Sequence, residues 1–233
     1  MNKNLFIIPI LDDNHLIVHT LQAIDSITDG DILIIDDGTG LDLIPILENN
    51  PHCQYIRHEQ QLGFGAVFMT GYAFARDMNF EIIIMLDIRN ANFTSDIIPI
   101  LENLNYGYDI ITCSRILENV NHESLSEDYI RITSIISEAL HEITDLDLTD
   151  PLSGIQAYRV ASLEQMELTE FSHTLLLQLW VQAHYFDLTI LEIPTQTNGE
   201  SFGSELDQYD EPLDLFLATL ESENYLYKKG NIQ

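Results

Sequence analysis

Five short stretches in the first half of the chain are apolar almost without interruption: LFIIPIL (5–11), DILIIDD (31–37), CQYIRH (53–58), EIIIMLD (81–87) and YDIITCS (108–114). Runs of this length with no alternating polar set predict strands covered on both faces. Between them, apolar residues recur at helical spacing over 14–27, 41–50, 62–78 and 94–104. Pro45 stands near the start of the second of these helices, where its missing N–H costs nothing. A glycine-bearing turn opens the third, and Thr94 or Ser95 is placed to cap the fourth. Strands alternating with amphipathic helices predict an α/β fold, a mixed, mostly parallel sheet with helices on both faces.

The rhythm changes after residue 115. The polar stretch 118–128 reads as a loop, followed by a helix near 128–144. A turn and strand follow over 150–160, a helix over 174–186, and a strand over 188–194 closed by Pro194. A glycine-bearing loop occupies 197–212, and a last helix 213–229. No repeat or linker divides the 233 residues, so a single domain, 1–233, is expected. No apolar run reaches the roughly 18–20 residues of a spanning helix. MNKN leads straight into a strand, which is not the pattern of a signal peptide. Cys53 and Cys113 have no metal-ligand spacing, and reduced thiols of a cytoplasmic protein are expected.

Charge changes the picture most. Nine Lys and Arg against 38 Asp and Glu leave a net charge of −29. Such a surface repels nucleic acid and anionic lipid headgroups, and it repels a nucleotide unless cations screen it. At about 1 M salt the Debye length falls to about 3 Å, so the composition suits a salt-rich cytoplasm.

In open parallel sheets, ligands bind beyond the carboxyl ends of the strands. Three predicted ends carry acids: Asp12 and Asp13, Asp36 and Asp37, and Asp87. Each alone can be a turn or helix cap; three on one rim suggest a site. Weaker patterns add little. His15 and His19 have a zinc-compatible i, i+4 spacing but no third ligand nearby. LGFGAVFMTG fits neither G-x-G-x-x-G nor G-K-[ST], and no G-x-S-x-G occurs. Trp180 among leucines reads as a buried helix residue. Tyr225, Tyr227, Lys228 and Lys229 read as the end of a packed helix, with a weak membrane or partner contact also open.

With these residues in view, the chain resembles the family-2 glycosyltransferases of the GT-A, Rossmann-like fold, in the branch of dolichyl-phosphate mannosyltransferases and polyprenyl-phosphate glycosyltransferases. The likeness runs in order through IIPILDDNHLI (7–17), ILIIDDGTGLD (32–42), HEQQLGFGAVFMTGYAFAR (58–76), MLDIRNANFTSDIIPILENL (85–104), YDIITCSR (108–115), DLTDPLSGIQAYR (147–159) and ILEIPTQTNGESFGSEL (190–206). It implies a nucleotide-sugar-binding half (1–115) and an acceptor half (116–233). Segment 9–13, with Pro9 and Asp13, would pack against the base. Asp37, beside Asp36 and Gly38, would bond the base or ribose. Gly63 and Gly65 would outline the pocket, and Asp87 would approach the ribose or hold a divalent cation, Mg or Mn. Asp150 would lie by the transferred sugar or acceptor, and Arg115 and Arg131 would hold an acceptor phosphate. The activity implied is inverting transfer of a sugar from a nucleotide-diphosphate donor to a polyprenyl- or dolichyl-phosphate-like acceptor.

The pattern also departs from the family. Where the metal motif would be Asp-x-Asp, this chain reads Asp87, Ile88, Arg89, with Ala91 at the position of a downstream Gln. Phe64 stands between the two glycines in place of Lys. Glu200 and Glu205 stand in a loop that would carry Arg and Lys. Arg89 supplying positive charge without a metal, a cation held weakly by Asp87 and the diphosphate, and a catalytically impaired protein with a scaffolding or regulatory role all stay open. The expected location is cytoplasmic, with a peripheral place at the inner membrane face and a membrane-anchoring or scaffolding partner protein also open.

Overall fold

The structure is a computed structural model that describes residues 3–11, 16–87, 93–117, 125–195 and 213–229. Seven strands form one sheet in the order β3-β2-β1-β4-β6-β5-β7. They are β1 (Asn4–Ile10), β2 (Asp31–Asp36), β3 (Cys53–Arg57), β4 (Ile82–Leu86), β5 (Ile110–Ser114), β6 (Ile155–Arg159) and β7 (Ile190–Pro194). All neighbouring pairs are parallel except those of β6, which runs antiparallel between β4 and β5. The strands of both expected halves thus share one sheet.

Side chains on a strand alternate between faces, so each apolar run feeds two cores. On β1, Leu5 and Ile7 join one cluster with Leu33, Ile35, Ile83 and Met85. That face is covered by α3 (Phe64–Asp77), α5 (Glu127–Thr144), α7 (Thr174–Tyr185) and α8 (Leu213–Lys228), which supply Phe68, Ile136, Trp180 and Phe216. Phe6, Ile8 and Ile10 point the other way, to Ile32, Ile34, Ile82 and Ile84. There α1 (Ile17–Ile27) and α4 (Phe93–Leu104) pack with Leu21, Ile24, Ile97 and Ile100. This is the expected layering, helices on both faces of a mostly parallel sheet.

Pro9 lies inside a central strand, a place that normally excludes proline because the ring has no N–H. The register explains it: β1 pairs with β4 only from Asn4 to Ile7, while Pro9 sits opposite Ile35 of β2. Among the described residues the β1–β4 ladder ends at Ile7, so on that side the missing N–H of Pro9 breaks no ladder bond.

The elements match expectation at Pro45 and depart from it at α4, at β6 and at α1. Pro45 falls at the start of α2 (Ile44–Asn49), as anticipated. Helix α4 begins at Phe93, so Thr94 and Ser95 lie within it instead of preceding it. The expected strand over 150–160 is only Ile155–Arg159, preceded by a turn and followed by a one-turn helix α6 (Val160–Leu163) that the apolar spacing does not reveal. Helix α1 starts at Ile17, and residues 12–15 lie outside the described residues. Ser126 caps α5 by accepting the Tyr129 N–H, and Asp145 ends it in a left-handed conformation.

Candidate active site

The first group of expected site residues closes on itself. Asp36 ends β2 fully buried. Its carboxylate accepts the Thr39 N–H (2.9 Å) and hydroxyl (2.8 Å), the Tyr55 hydroxyl (3.1 Å) and Arg57 Nε (2.5 Å). Burial pushes the carboxyl up, but the bonds from Thr39, Arg57 and Tyr55 outweigh it and hold the group below the usual range. Arg57 also donates to the Leu41 carbonyl, so Asp36 and Arg57 together pin the loop after β2.

Asp37 is equally committed. It accepts the N–H groups of Leu62 (3.0 Å to each oxygen) and Gly63 (2.8 Å), and Nδ1 of His58 at 2.7 Å. A carboxylate only accepts, so His58 donates from Nδ1; its Nε2 meets the Thr70 hydroxyl at 2.8 Å. The residue expected to bond a nucleobase therefore ties the end of β2 to the glycine turn.

The glycines serve the same closure. Gly38 has φ +70°, and the Gln60 backbone stands 2.5 Å from where its Cβ would be. Gly63, at φ +98°, would bring a Cβ to 2.6 Å from the Phe171 carbonyl oxygen, and Gly65 to 2.2 Å from that of Glu170. Ala66 donates its N–H to the Phe171 carbonyl (3.2 Å). The turn that outlined a diphosphate pocket in the sequence packs against backbone 170–172.

The second group lies across the sheet. Asp87 follows β4 at the centre of the carboxyl rim and is partly exposed. Its N–H donates to the Gly154 carbonyl at 3.1 Å. A Cβ on Gly154 would stand 2.6 Å from that of Asp87, so only glycine lets the 150–154 turn approach this closely. At the other end of that turn Asp150 is fully buried. It accepts the Arg115 N–H (3.1 Å), Arg115 Nε (2.7 Å) and a terminal guanidinium nitrogen (3.1 Å), and the Tyr129 hydroxyl (2.7 Å). Arg115 also donates to Tyr129 and to the Leu152 carbonyl, and its guanidinium lies 4.5 Å from the centre of the Tyr129 ring.

Glu192 of β7 clamps the turn from behind by accepting the N–H groups of Thr149 and Asp150 and the Thr149 hydroxyl, at 2.9–3.0 Å. Burial, then the nearby Asp150 charge, raise its carboxyl above the usual range despite those bonds. Trp180 completes the support from below with a 2.8 Å bond from its indole nitrogen to the Pro151 carbonyl. It is a buried helix residue, as the surrounding leucines suggested.

The structure thus brings Asp87 together with the Asp150–Gly154 turn, and Asp37 together with Gly63. It does not offer Arg115 to an incoming phosphate, since Arg115 is buried and paired with Asp150. Arg131 is exposed and paired with Asp128 at 3.1 Å. It stands two positions from Tyr129 on α5, about 200° around the helix and away from the bond to Asp150. Asp13, Arg89, His15, Glu200 and Glu205 lie outside the described residues. His58, Tyr129 and Glu192 were not singled out from the sequence. Glu192 carries the one available signal, a single acid inside the apolar stretch ILEIP; the other two are identified only by contacts across the fold.

No family model and no curated protein sequence matches the chain. Solved structures do. Glucosyl-3-phosphoglycerate synthase from Mycobacterium tuberculosis matches with a TM-score of 0.72 at 17% identity, covering 95% of this chain and 80% of that one. The same enzyme in complex with phosphoglyceric acid matches with a TM-score of 0.71 at 16% identity, with the same coverage. Its complex with Mn2+, uridine diphosphate and glucosyl-3-phosphoglycerate gives 0.72 and 16%, again covering 95% and 80%. At these identities the likeness establishes architecture: the chain has the GT-A fold of those glycosyltransferase structures.

Proposed function

We propose that the chain binds a nucleoside-diphosphate sugar at the carboxyl rim and transfers the sugar with inversion. One observation carries this reading. Asp87 sits at the end of β4, next to β1, where the strand order reverses, and its side chain is partly exposed while Asp36, Asp37 and Asp150 are buried. That is where an open α/β sheet binds ligands. The architectural match to enzymes whose structures hold uridine diphosphate and Mn2+ supports it.

The implied divalent cation fits in a limited way. Among the described residues, no three His, Cys, Asp or Glu are grouped to hold a metal. Mg2+ and Mn2+ at phosphate sites manage with one or two carboxylates plus phosphates and water. Asp87 is suited to that role and not to a closed protein cage. When bound, such an ion offsets the charge of the departing diphosphate. Asp87 would orient it, and the Gly154 carbonyl would fix the Asp87 backbone.

Asp150 is not placed to act as a general base, since its carboxylate accepts four bonds from Arg115 and Tyr129. An acceptor that is already an oxyanion needs none. A phosphate oxygen would attack the anomeric carbon, the bond from that carbon to the diphosphate would break, and no proton would have to move. Such a step suits an acceptor that attacks through an oxyanion, and the two to compare are a polyprenyl phosphate, through its phosphate, and a small phosphorylated acid, through its phosphate or carboxylate. A second reading, an impaired protein that binds a partner, is favoured by the saturated bonds of Asp36, Asp37 and Arg115.

The test is calorimetric titration of UDP, GDP and their glucose and mannose conjugates, with and without Mn2+, followed by turnover with each acceptor. Metal-dependent binding supports Asp87 as the anchor. Tight binding without metal assigns the charge to Arg89. Absence of binding to every nucleotide leaves the second reading.

A further inference from the structure

The segment 169–173 is held from two sides at the rim, yet it carries a largely exposed Phe171. Its backbone lies against Gly63 and Gly65, where no side chain fits, and the Phe171 carbonyl accepts the Ala66 N–H at 3.2 Å. From the other side, Gln178 accepts the N–H groups of Thr169 (2.7 Å) and Glu170 (3.2 Å). The His173 ring stacks on Phe64, centroids 5.0 Å apart and 12° from parallel. Between these fixed points the Phe171 residue is 61% exposed. An exposed phenyl ring contributes little to folding. With its backbone already fixed on both sides, this residue has less freedom to lose when a flat group stacks on its ring.

Its position identifies the ligand group. Gly63 follows β3 and donates to Asp37 at the end of β2, so Phe171 stands on the β2–β3 side of the rim. Asp87 ends β4, with β1 between β4 and β2. Two strand spacings, ~10 Å, separate β4 from β2. A nucleoside diphosphate with its phosphates at Asp87 reaches across that separation with its base. Leu62, which precedes Gly63 in the same turn, is 42% exposed.

We infer that Phe171 is the stacking platform for the nucleobase of the donor. This rests on the donor-binding reading above and adds a residue that no sequence motif marks. Asp37, which the resemblance assigns to the base or ribose, also holds the turn against which segment 170–172 packs. The face of a base is recognised without regard to its hydrogen-bonding edge, so the platform accepts uracil or guanine.

The test is calorimetry of UDP and GDP with Mn2+ on the wild-type chain and on Phe171→Ala, Phe171→Leu and Phe171→Tyr, with thermal melts to verify folding. Loss of one base stack predicts about tenfold weaker binding for the alanine and leucine variants, with the tyrosine variant within about threefold of wild type. Unchanged affinity in Phe171→Ala, or retention in Phe171→Leu, overturns the platform while leaving donor binding intact. A wild-type chain that binds neither nucleotide overturns both.

Discussion

Asp150 and Asp87 sit at opposite ends of one short connection across the rim, and they have opposite surroundings. Asp150 is buried beneath four hydrogen bonds, three of them from a buried arginine. Asp87 stands partly exposed at the central strand end, with the Gly154 backbone against it. An acid at a strand terminus therefore does not by itself mark chemistry. Burial separates the two here: Asp150 is sealed inside the fold, whereas Asp87 stays within reach of a ligand at the rim.

The largest effect should come from opening the buried pair. Arg115→Ala leaves Asp150 charged and without its main partner, and removal of one member of such a pair costs about 3–5 kcal/mol. Urea unfolding should show that loss, whereas a cost below about 1 kcal/mol would mean that Asp150 is not committed to structure. Next in size, Gly154→Ala forces a methyl into the 2.6 Å contact with Asp87. Overpacking of this kind costs about 1–3 kcal/mol. The same change should weaken nucleotide binding by displacing Asp87, so stability and affinity measured on one sample should fall together.

A smaller effect distinguishes Asp36 by pH. Its folded pKa lies below the unfolded value of 3.8. Its bonds therefore add stability that is fully present above pH 3.8 and is lost as pH falls through the folded pKa. Asp36→Asn should flatten the acid limb of a stability profile below pH 3.8. Glu192 has the opposite sign, with a folded pKa above 4.5. Its ionisation on rising pH through that folded pKa disfavours the native state. In Glu192→Gln the decline of stability with pH above 4.5 should be shallower. The smallest change concerns the whole surface: at a net charge of −29, raising salt toward 1 M should raise the melting temperature through screening.

Much of the fold was legible because burial follows chain period. The apolar runs at 5–11, 31–37 and 81–87 become β1, β2 and β4, and their alternate residues feed the two clusters. Strand direction was not legible, since IQAYR reads the same whether it runs with or against β4. Helix α6 is a single turn and too short to show a period.

At the candidate site the strand ends located Asp36, Asp37 and Asp87 on the rim and the resemblance added Asp150, but neither could reveal who bonds to them. Asp37 is held by residues 58, 62 and 63, and Asp150 by 115 and 129. Those partners meet only after the sheet has assembled. Gly63 and Gly65 show the same ambiguity, because glycine admits a phosphate or a passing backbone equally well, and here Glu170 and Phe171 fill the space.

The decisive experiment compares the wild-type chain with Asp87→Asn in calorimetric titration of UDP and GDP in the presence of Mn2+. Saturable, metal-dependent binding to the wild type is expected, at least about tenfold weaker in the variant, with melting temperatures little changed. Equal affinities in the two proteins, or no binding of either nucleotide to the wild type, would contradict it.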